Sequence, residues 1–219
     1  MKTVLHVDSS PRRLDNENSG WNSISRRLAR NIVDSIKERV DDEFIFIYRN
    51  LADCPPSFIT NDWIAAVFTP NDKRSQSQID LLAESDLYIK EVRDADIIVL
   101  SSPMYNYGLP AILKAWFDQI IRINETFTFD LSRGDFPLEP ILSGKKLILC
   151  TSSGEFGFEP GGMREMMNHL GPHVKTMSKY LGVDYFFEIK SEYQEFGDKR
   201  HKKSLESALE YATQLGKTI

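Results

Sequence analysis

Three short segments hold the side chains best suited to gripping a ligand. The first opens with Ser9-Ser10-Pro11 and continues to Asn22-Ser23-Ile24-Ser25. A phosphate needs several hydrogen-bond donors held together, and a helix start supplies unpaired backbone N–H groups and a favourable dipole. Ser10, Ser23 and Ser25 add hydroxyls around such a start. Serine and asparagine are also common helix caps, so this segment alone fits capping as well as phosphate binding. The second segment, Ser101-Ser102-Pro103-Met104-Tyr105-Asn106-Tyr107-Gly108-Leu109-Pro110, crowds two prolines, a glycine and two tyrosines together. It offers an aromatic bed and a stiff backbone to a planar heterocycle such as an isoalloxazine. Its other reading is a proline-stiffened turn with the rings tucked against the next helix. The third, Thr151-Ser152-Ser153-Gly154-Glu155-Phe156-Gly157, has small residues that permit close approach of backbone to a ligand, and reads equally as a plain connection.

No Ser/His/Asp or Cys/His arrangement stands out, and neither GxGxxG nor GxxxxGK[ST] occurs. His169 and His173 are four apart, but Pro172 falls between them and no third ligand is near, so a surface pair is expected and no metal site. His6 reads as a core residue of the first strand. Cys54 and Cys150 form no CxxC pair and are expected as a loop thiol and a buried strand thiol. Glu188, Glu192 and Glu195, with Lys199, Arg200, Lys202 and Lys203, read as solvated faces. Trp21, Trp63 and Trp116 read as packing or interface residues rather than substrate platforms, although Trp21, in the long loop, fits either.

The elements that must position these segments alternate. Short β-branched runs at residues 3–7, 43–48, 96–102, 146–151 and 183–189 read as strands. Helical spacing appears in Ile24, Leu28, Ile32, Val33 and Ile36, and again over residues 76–93, 111–123, 164–181 and 203–215. Between the second strand and the second helix, Pro55, Pro56 and Pro70 are expected to block regular structure. The runs at 96–102 and 146–151 are nearly continuous in apolar residues, as strands covered on both faces should be. This alternation implies right-handed βαβ units and an α/β, doubly wound, five-stranded parallel sheet of order 2-1-3-4-5. Ligands of such sheets bind outside the carboxyl ends of strands, where the order reverses. The three segments follow strands one, three and four, and that position favours the ligand reading of the tyrosine-rich one. No linker or repeat divides the chain, so one domain over residues 1–219 is expected.

The bulk numbers narrow the function classes. With 41% hydrophobic and 27% charged residues the chain has material for a core, and a net charge of −5 argues against a general nucleic-acid binder. No apolar run approaches the ~20 residues of a membrane-spanning helix, and Met1 to Asp8 reads as a strand rather than a signal peptide. No membrane insertion and a cytoplasmic location are expected.

Pro103-Met104-Tyr105-Asn106-Tyr107, followed by Leu113-Lys114-Ala115-Trp116-Phe117-Asp118, resembles the flavodoxin-like FMN-dependent NADH:quinone oxidoreductase (azoreductase) family, with its Pro-Met-Tyr-Asn-Phe segment and Leu-Lys-x-x-Phe/Tyr-Asp helix. Ser23-Ile24-Ser25-Arg26-Arg27-Leu28 is similar to the family's Ser-x-Ser-x-x-Leu phosphate segment, Arg49-Asn50-Leu51 to its Arg-Asp-Leu turn, and Gly144-Lys145-Lys146 to the approach to its fourth strand. The resemblance runs along nearly the whole chain.

It implies an FMN-binding homodimer that takes electrons from NADH or NADPH and reduces quinones or azo compounds by two-electron hydride transfer in a ping-pong cycle. The chemistry would lie on flavin N5, with no protein catalytic residue. Carried over, Ser10, Ser23, Ile24 and Ser25 would hold the phosphate. Pro103, Met104, Tyr105, Asn106 and Tyr107 would line the ring, with Ser152, Ser153, Gly154 and Glu155 along its pyrimidine side. Backbone N–H groups near Ser153 and Gly154 would face the charge of the reduced ring. Tyr107, with Phe129 and Tyr180 from the partner subunit, would stack on the substrate. Three departures stand out: a longer connection from Ser10 to Ser23, expected to loop into solvent rather than add a lid or alter nicotinamide cofactor preference; Ser153 and Glu155 where members often have Arg and Gly; and Phe129 without the hydroxyl of some relatives. A flavodoxin-like electron carrier or FMN-binding regulatory protein, without its own NAD(P)H activity, is the competing reading.

Overall fold

The computed structural model describes residues 1–39 and 43–219. Five parallel strands form the main sheet: β1 (Lys2–Asp8), β2 (Phe44–Asn50), β3 (Ile97–Pro103), β6 (Lys145–Ser152) and β7 (Val183–Ser191). Their spatial order, β2-β1-β3-β6-β7, becomes 2-1-3-4-5 when these strands alone are numbered along the chain. The helices are α1 (Ile24–Lys37), α2 (Asn61–Phe68), α3 (Gln76–Asp94), α4 (Ala111–Ile120), α5 (Gly171–Ser178) and α6 (Lys199–Thr218). Two short strands, β4 (Phe127–Phe129) and β5 (Leu138–Pro140), form a separate antiparallel ribbon.

Strand alternation distributes the core between the two faces. Val4, Ile97, Val99, Ile148 and Cys150 point toward α1 and α6, whereas Leu5, Val7, Ile98, Leu100, Leu147 and Leu149 point toward α3, α4 and α5. Every residue of β3 is buried, as a central strand requires. Cys150 is fully enclosed, and that burial pushes its thiol pKa up; Cys54 is exposed. Between α1 and α6 the backbones nearly touch at Gly216, where an added Cβ would lie 2.7 Å from Ser35 Cβ and 2.9 Å from the Ile32 carbonyl oxygen.

Several expectations need correction. The stretch after β2 contains α2, because its prolines flank the helix instead of interrupting it. Thr60 caps its start by accepting from the Trp63 N–H at 3.2 Å, and Pro70 lies just beyond its end. Trp63 is buried there, with its indole N–H donating to Gln119 Oε1 at 3.0 Å. Helix α4 stops at Ile120, and the chain turns into the ribbon around Arg122, which is 2% exposed and donates to Ser85 Oγ. The helix expected over 164–181 begins only at Gly171, because Pro172 is tolerated in a first turn but not in an interior. His169 therefore precedes α5 while His173 lies within it, and the two do not share a helix. Glu188 and Glu192 are not on a solvated face: both are half-buried, and burial raises the pKa of each. The last helix extends beyond the expected range at both ends.

The close approach at Gly216 makes a test of this packing. Gly216→Val should lower stability by about 1–3 kcal/mol, read from the urea midpoint at constant m-value. An unchanged midpoint would mean that α6 can shift without loss.

Candidate functional site

The carboxyl ends of β1, β3 and β6 meet at one edge, with Asp8 beside Ser101 and Pro103 beside Ser152. The chain leaves β1 toward β2 on one side, whereas β3 is followed by β6 on the other, which opens a crevice at this edge. A cavity of about 120 Å³ lies there. Ser10, Ser23 and Ile24 line one end, Pro103, Met104 and Tyr105 the centre, and Ser152 and Gly154 the far wall.

At the first end, Ser23 caps α1, its hydroxyl accepting from the Arg26 N–H at 3.3 Å, and fully buried Ser25 stands behind it with the two hydroxyls 3.3 Å apart. No acidic residue occupies the first turn of α1, so its N–H groups and dipole are uncompensated by the chain itself. Ser10 is held from beneath: the buried Arg26 guanidinium donates to its carbonyl through Nε at 3.0 Å and through Nη2. Arg26 also donates to Asn50 Oδ1 at 2.8 Å and lies 3.5 Å from Asp8 Oδ2. Asp8 accepts from Ser101 Oγ at 2.6 Å and from the Tyr48 hydroxyl at 2.9 Å, with His6 Nε2 3.0 Å away. Burial by itself pushes the Asp8 carboxyl up, but His6, Ser101 and Arg26 outweigh it and hold it below the ordinary 3.8. Burial and the Asp8 charge push the Tyr48 phenol up to about 12.

The centre is a strained turn. Tyr105 and Gly108 exchange N–H to carbonyl hydrogen bonds of 3.1 and 2.9 Å, and the residues between them, Asn106 and Tyr107, have φ of +48° and +65°. Two consecutive positive φ values are the pattern of a type I′ turn, which favours Asn and Gly. Asn106 adopts it readily, whereas Tyr107 stores roughly 1–3 kcal/mol of backbone strain. The surroundings hold it: the His169 N–H donates to the Tyr107 carbonyl at 2.9 Å, and the Met104 N–H to the Ser152 carbonyl at 2.8 Å. Tyr105 and Tyr107 are thereby kept 40% and 38% exposed at the rim.

The third wall is shared with a fourth loop. The N–H groups of Gln194 and Glu195, beyond β7, each donate at 3.1 Å, to the carbonyls of Ser153 and Gly154. A Cβ on Gly154 would fall 2.3 Å from Glu195 Cγ, so any side chain there would displace that of Glu195. Phe156 and Tyr193 stack at 4.4 Å and fasten the two loops from outside, with Arg200 over both rings.

The expected residues thus fall into groups. Ser10, Ser23, Ile24, Pro103, Met104, Tyr105, Ser152 and Gly154 line the cavity. Ser25 backs it, and Asn106 and Tyr107 form the turn at its rim. Ser153 is buried with its hydroxyl donating to the Glu155 carbonyl, and the Glu155 carboxylate is engaged by Arg164 at 3.0 Å. Phe129, on the ribbon, and Tyr180, packed edge-on against Phe127 at 5.7 Å, are not among the lining residues of their own protomer. Sequence reasoning missed Arg12, Gln194 and Glu195, which also line the cavity. The signal for the last two was available: they follow a fifth strand whose carboxyl end faces the same edge. Among the described residues, no group of three or more His, Cys, Asp or Glu side chains gathers as metal ligands would.

The donor set fits a phosphate: three buried serines at a carboxylate-free helix start. The mixed apolar and backbone-rich centre suits the FMN ring in chemistry, and at about 120 Å³ the cavity takes part of such a ligand, the rest lying at the open edge. Because Arg26 is the buried cation that closes this corner, Arg26→Met should cost about 3–5 kcal/mol by stranding Asp8, measured by urea unfolding. Asp8 contributes to the acid limit. Its depressed pKa contributes stability that is fully present above pH 3.8 and is lost as pH falls through the lower folded value. Asp8→Asn should flatten that acid limb, and an unaltered pH profile would remove Asp8 from the account.

Comparison with known proteins agrees with this geometry. Residues 2–215 match the family described as flavodoxin-like fold. The chain is 60% identical to the FMN-dependent NADH:quinone oxidoreductase 2 of Colwellia psychrerythraea, across 100% of both chains. It is 61% identical to the protein of that name from Idiomarina loihiensis, over 97% of this chain and 88% of the other. Among solved structures, an azoreductase from Bacillus anthracis superposes with a TM-score of 0.83 at 20% identity over 100% of both chains, which speaks to the fold. Fold, edge geometry and full-length similarity converge: the chain belongs to the flavodoxin-like family, among the FMN-dependent NADH:quinone oxidoreductases.

Proposed function

We propose that this protein is an FMN-dependent NAD(P)H oxidoreductase that reduces quinones and azo compounds, acting as a cytoplasmic homodimer of single-domain chains spanning residues 1–219. The observation that carries the reading is the continuity of one cavity from the serines at the start of α1 to the Met104–Tyr105 turn. Such a cavity suits a ligand with an anionic end and a planar end.

FMN held there supplies hydride acceptance and donation at N5. The chain's own residues bind and orient. Ser10, Ser23 and Ser25, with the first N–H groups of α1, hold the phosphate, and Ile24 packs beside it. Pro103 to Tyr107 form the bed of the ring, and Ser152 to Glu155 supply its polar edge, where backbone N–H groups stabilise negative charge. Tyr107 contacts the substrate. Phe129 and Tyr180 reach the substrate from a partner subunit, and the apolar ribbon supports this: Phe129, Leu131 and Phe136 are 48%, 75% and 86% exposed on it. No helix among the described residues is long and apolar enough to cross a membrane.

The decisive experiment reconstitutes the protein with FMN and records the anaerobic visible spectrum before and after NADH, then benzoquinone. Bleaching followed by recovery is expected, with parallel double-reciprocal lines in steady state. Retained flavin that neither NADH nor NADPH bleaches would turn the assignment to an electron carrier. Ser10→Ala and Ser25→Ala should each raise the FMN dissociation constant roughly tenfold, the worth of one hydrogen bond to a charged group. Phe129→Asp should shift the dimer to monomer in analytical ultracentrifugation.

A further inference from the structure

The longer connection between Ser10 and Ser23 builds a second cavity of about 800 Å³ beside the first. It is walled by this connection, by the start of α1 and by the first turns of α6 at His201 and Leu205. Its size falls in the range of about 300–1,000 Å³ typical of small-molecule sites. The connection has a defined shape, with Asn16 as its hub: the side-chain amide donates to the carbonyls of Arg13 and Trp21 at 3.0 and 3.2 Å, and its N–H donates to Asn22 Oδ1 at 2.9 Å. The connection also closes on itself through the Ser23 N–H, which donates to the Arg13 carbonyl at 2.8 Å.

Three side chains on these walls, Trp21, Arg12 and Arg27, have no structural work to explain them, and a fourth, His201, has one ring nitrogen to spare. Trp21 is 64% exposed, so it adds nothing to the core. Arg12 and Arg27 have no acidic partner among the described residues, although their neighbours do: Arg13 pairs with Asp53 at 3.7 Å, and Arg26 is committed to Ser10, Asn50 and Asp8. His201 uses Nδ1 on the Glu192 carbonyl at 3.0 Å, leaving Nε2 uncommitted. Two free guanidinium groups beside an exposed indole match a ligand that carries phosphates and an aromatic base. The two cavities are contiguous, since Arg12, Ser23, Ile24, Gln194 and Glu195 line both. The serines at the smaller cavity already provide for one phosphate, so the larger volume beyond them calls for a second group.

We propose that this cavity takes the adenosine diphosphate half of the nicotinamide donor, with Arg12 and Arg27 pairing its pyrophosphate and Trp21 stacking on its adenine. The proposal rests on the reductase reading above. The chain lacks the glycine fingerprint that would cradle a dinucleotide on a helix start, and side-chain cations do that work instead. Glu195, at the junction of the two cavities, accepts from ribose hydroxyls.

The test titrates FMN-loaded protein with ADP-ribose, which cannot reduce the flavin, and follows tryptophan fluorescence. Trp63 and Trp116 are 7% and 1% exposed, so a saturable change reports on Trp21. Saturable quenching is expected, and Trp21→Phe should abolish it. Arg12→Ala and Arg27→Ala should each weaken ADP-ribose roughly tenfold and raise the NADH KM by a similar factor; for Arg27, which lines only the larger cavity, the FMN dissociation constant should stay as in wild type. Absence of saturable quenching in the wild type overturns the proposal. So does release of FMN by the arginine variants with ADP-ribose affinity unchanged, which would assign both arginines to the flavin phosphate. Failure of the underlying reading appears separately, as flavin that NADH and NADPH leave unbleached.

Discussion

A cation buried beneath the ligand loops cannot be left unpaired in a low-dielectric interior, and Arg26 draws its partners from three elements. It takes the Ser10 carbonyl from the loop after β1, Asn50 from the end of β2 and Asp8 from the end of β1, while itself belonging to the first turn of α1. Satisfying one guanidinium therefore fixes the relative placement of two strand ends, a loop and a helix start. The carboxylate that compensates it lies under the site and not within it. The helix start opposite an incoming phosphate thus carries no acidic residue in its own first turn, while the buried pair remains closed to water.

The centre of the site follows a different logic. The turn carrying Asn106 and Tyr107 is locally unfavourable and is imposed by its neighbours, through the hydrogen bonds from His169 and Met104. Backbone strain concentrated where a ligand is expected, and held by long-range contacts, marks a position selected for what it presents. The last wall depends on Gly154, where any side chain would displace Glu195.

The sheet was legible because its physics is local to each strand. A central parallel strand must be apolar on both faces, and Ile97 to Leu100 and Leu147 to Cys150 have no other reading. The serines and the Met104–Tyr107 segment were legible as a pattern, since each departs from ordinary turn chemistry. What was missed depends on context. Helix α2 is short, and its identity rests on Trp63 finding Gln119, a contact between distant residues. The start of α5 turned on whether Pro172 would sit in a first turn or an interior, which upstream periodicity misjudged. Glu188 looked like surface charge, and its burial comes from packing near Gly171 that one segment cannot reveal. Arg12 joins this edge only through tertiary structure, whereas Gln194 and Glu195 could have been placed there from the fifth strand that they follow.

The interior position of β1, between β2 and β3, governs when the site comes into being. Its neighbour β3 lies over ninety positions downstream, and the Ser9 hydroxyl and N–H are both bonded to the Ser101 carbonyl. The serine loop therefore emerges from the ribosome long before its anchor exists. The tyrosine turn then waits for Ser152, and the final wall waits for the loop after β7. Non-local pairing of this kind is slow, because loop-closure entropy must be overcome before any contact repays it. A flavin therefore meets its full set of contacts only on the finished fold, which it stabilises by mass action.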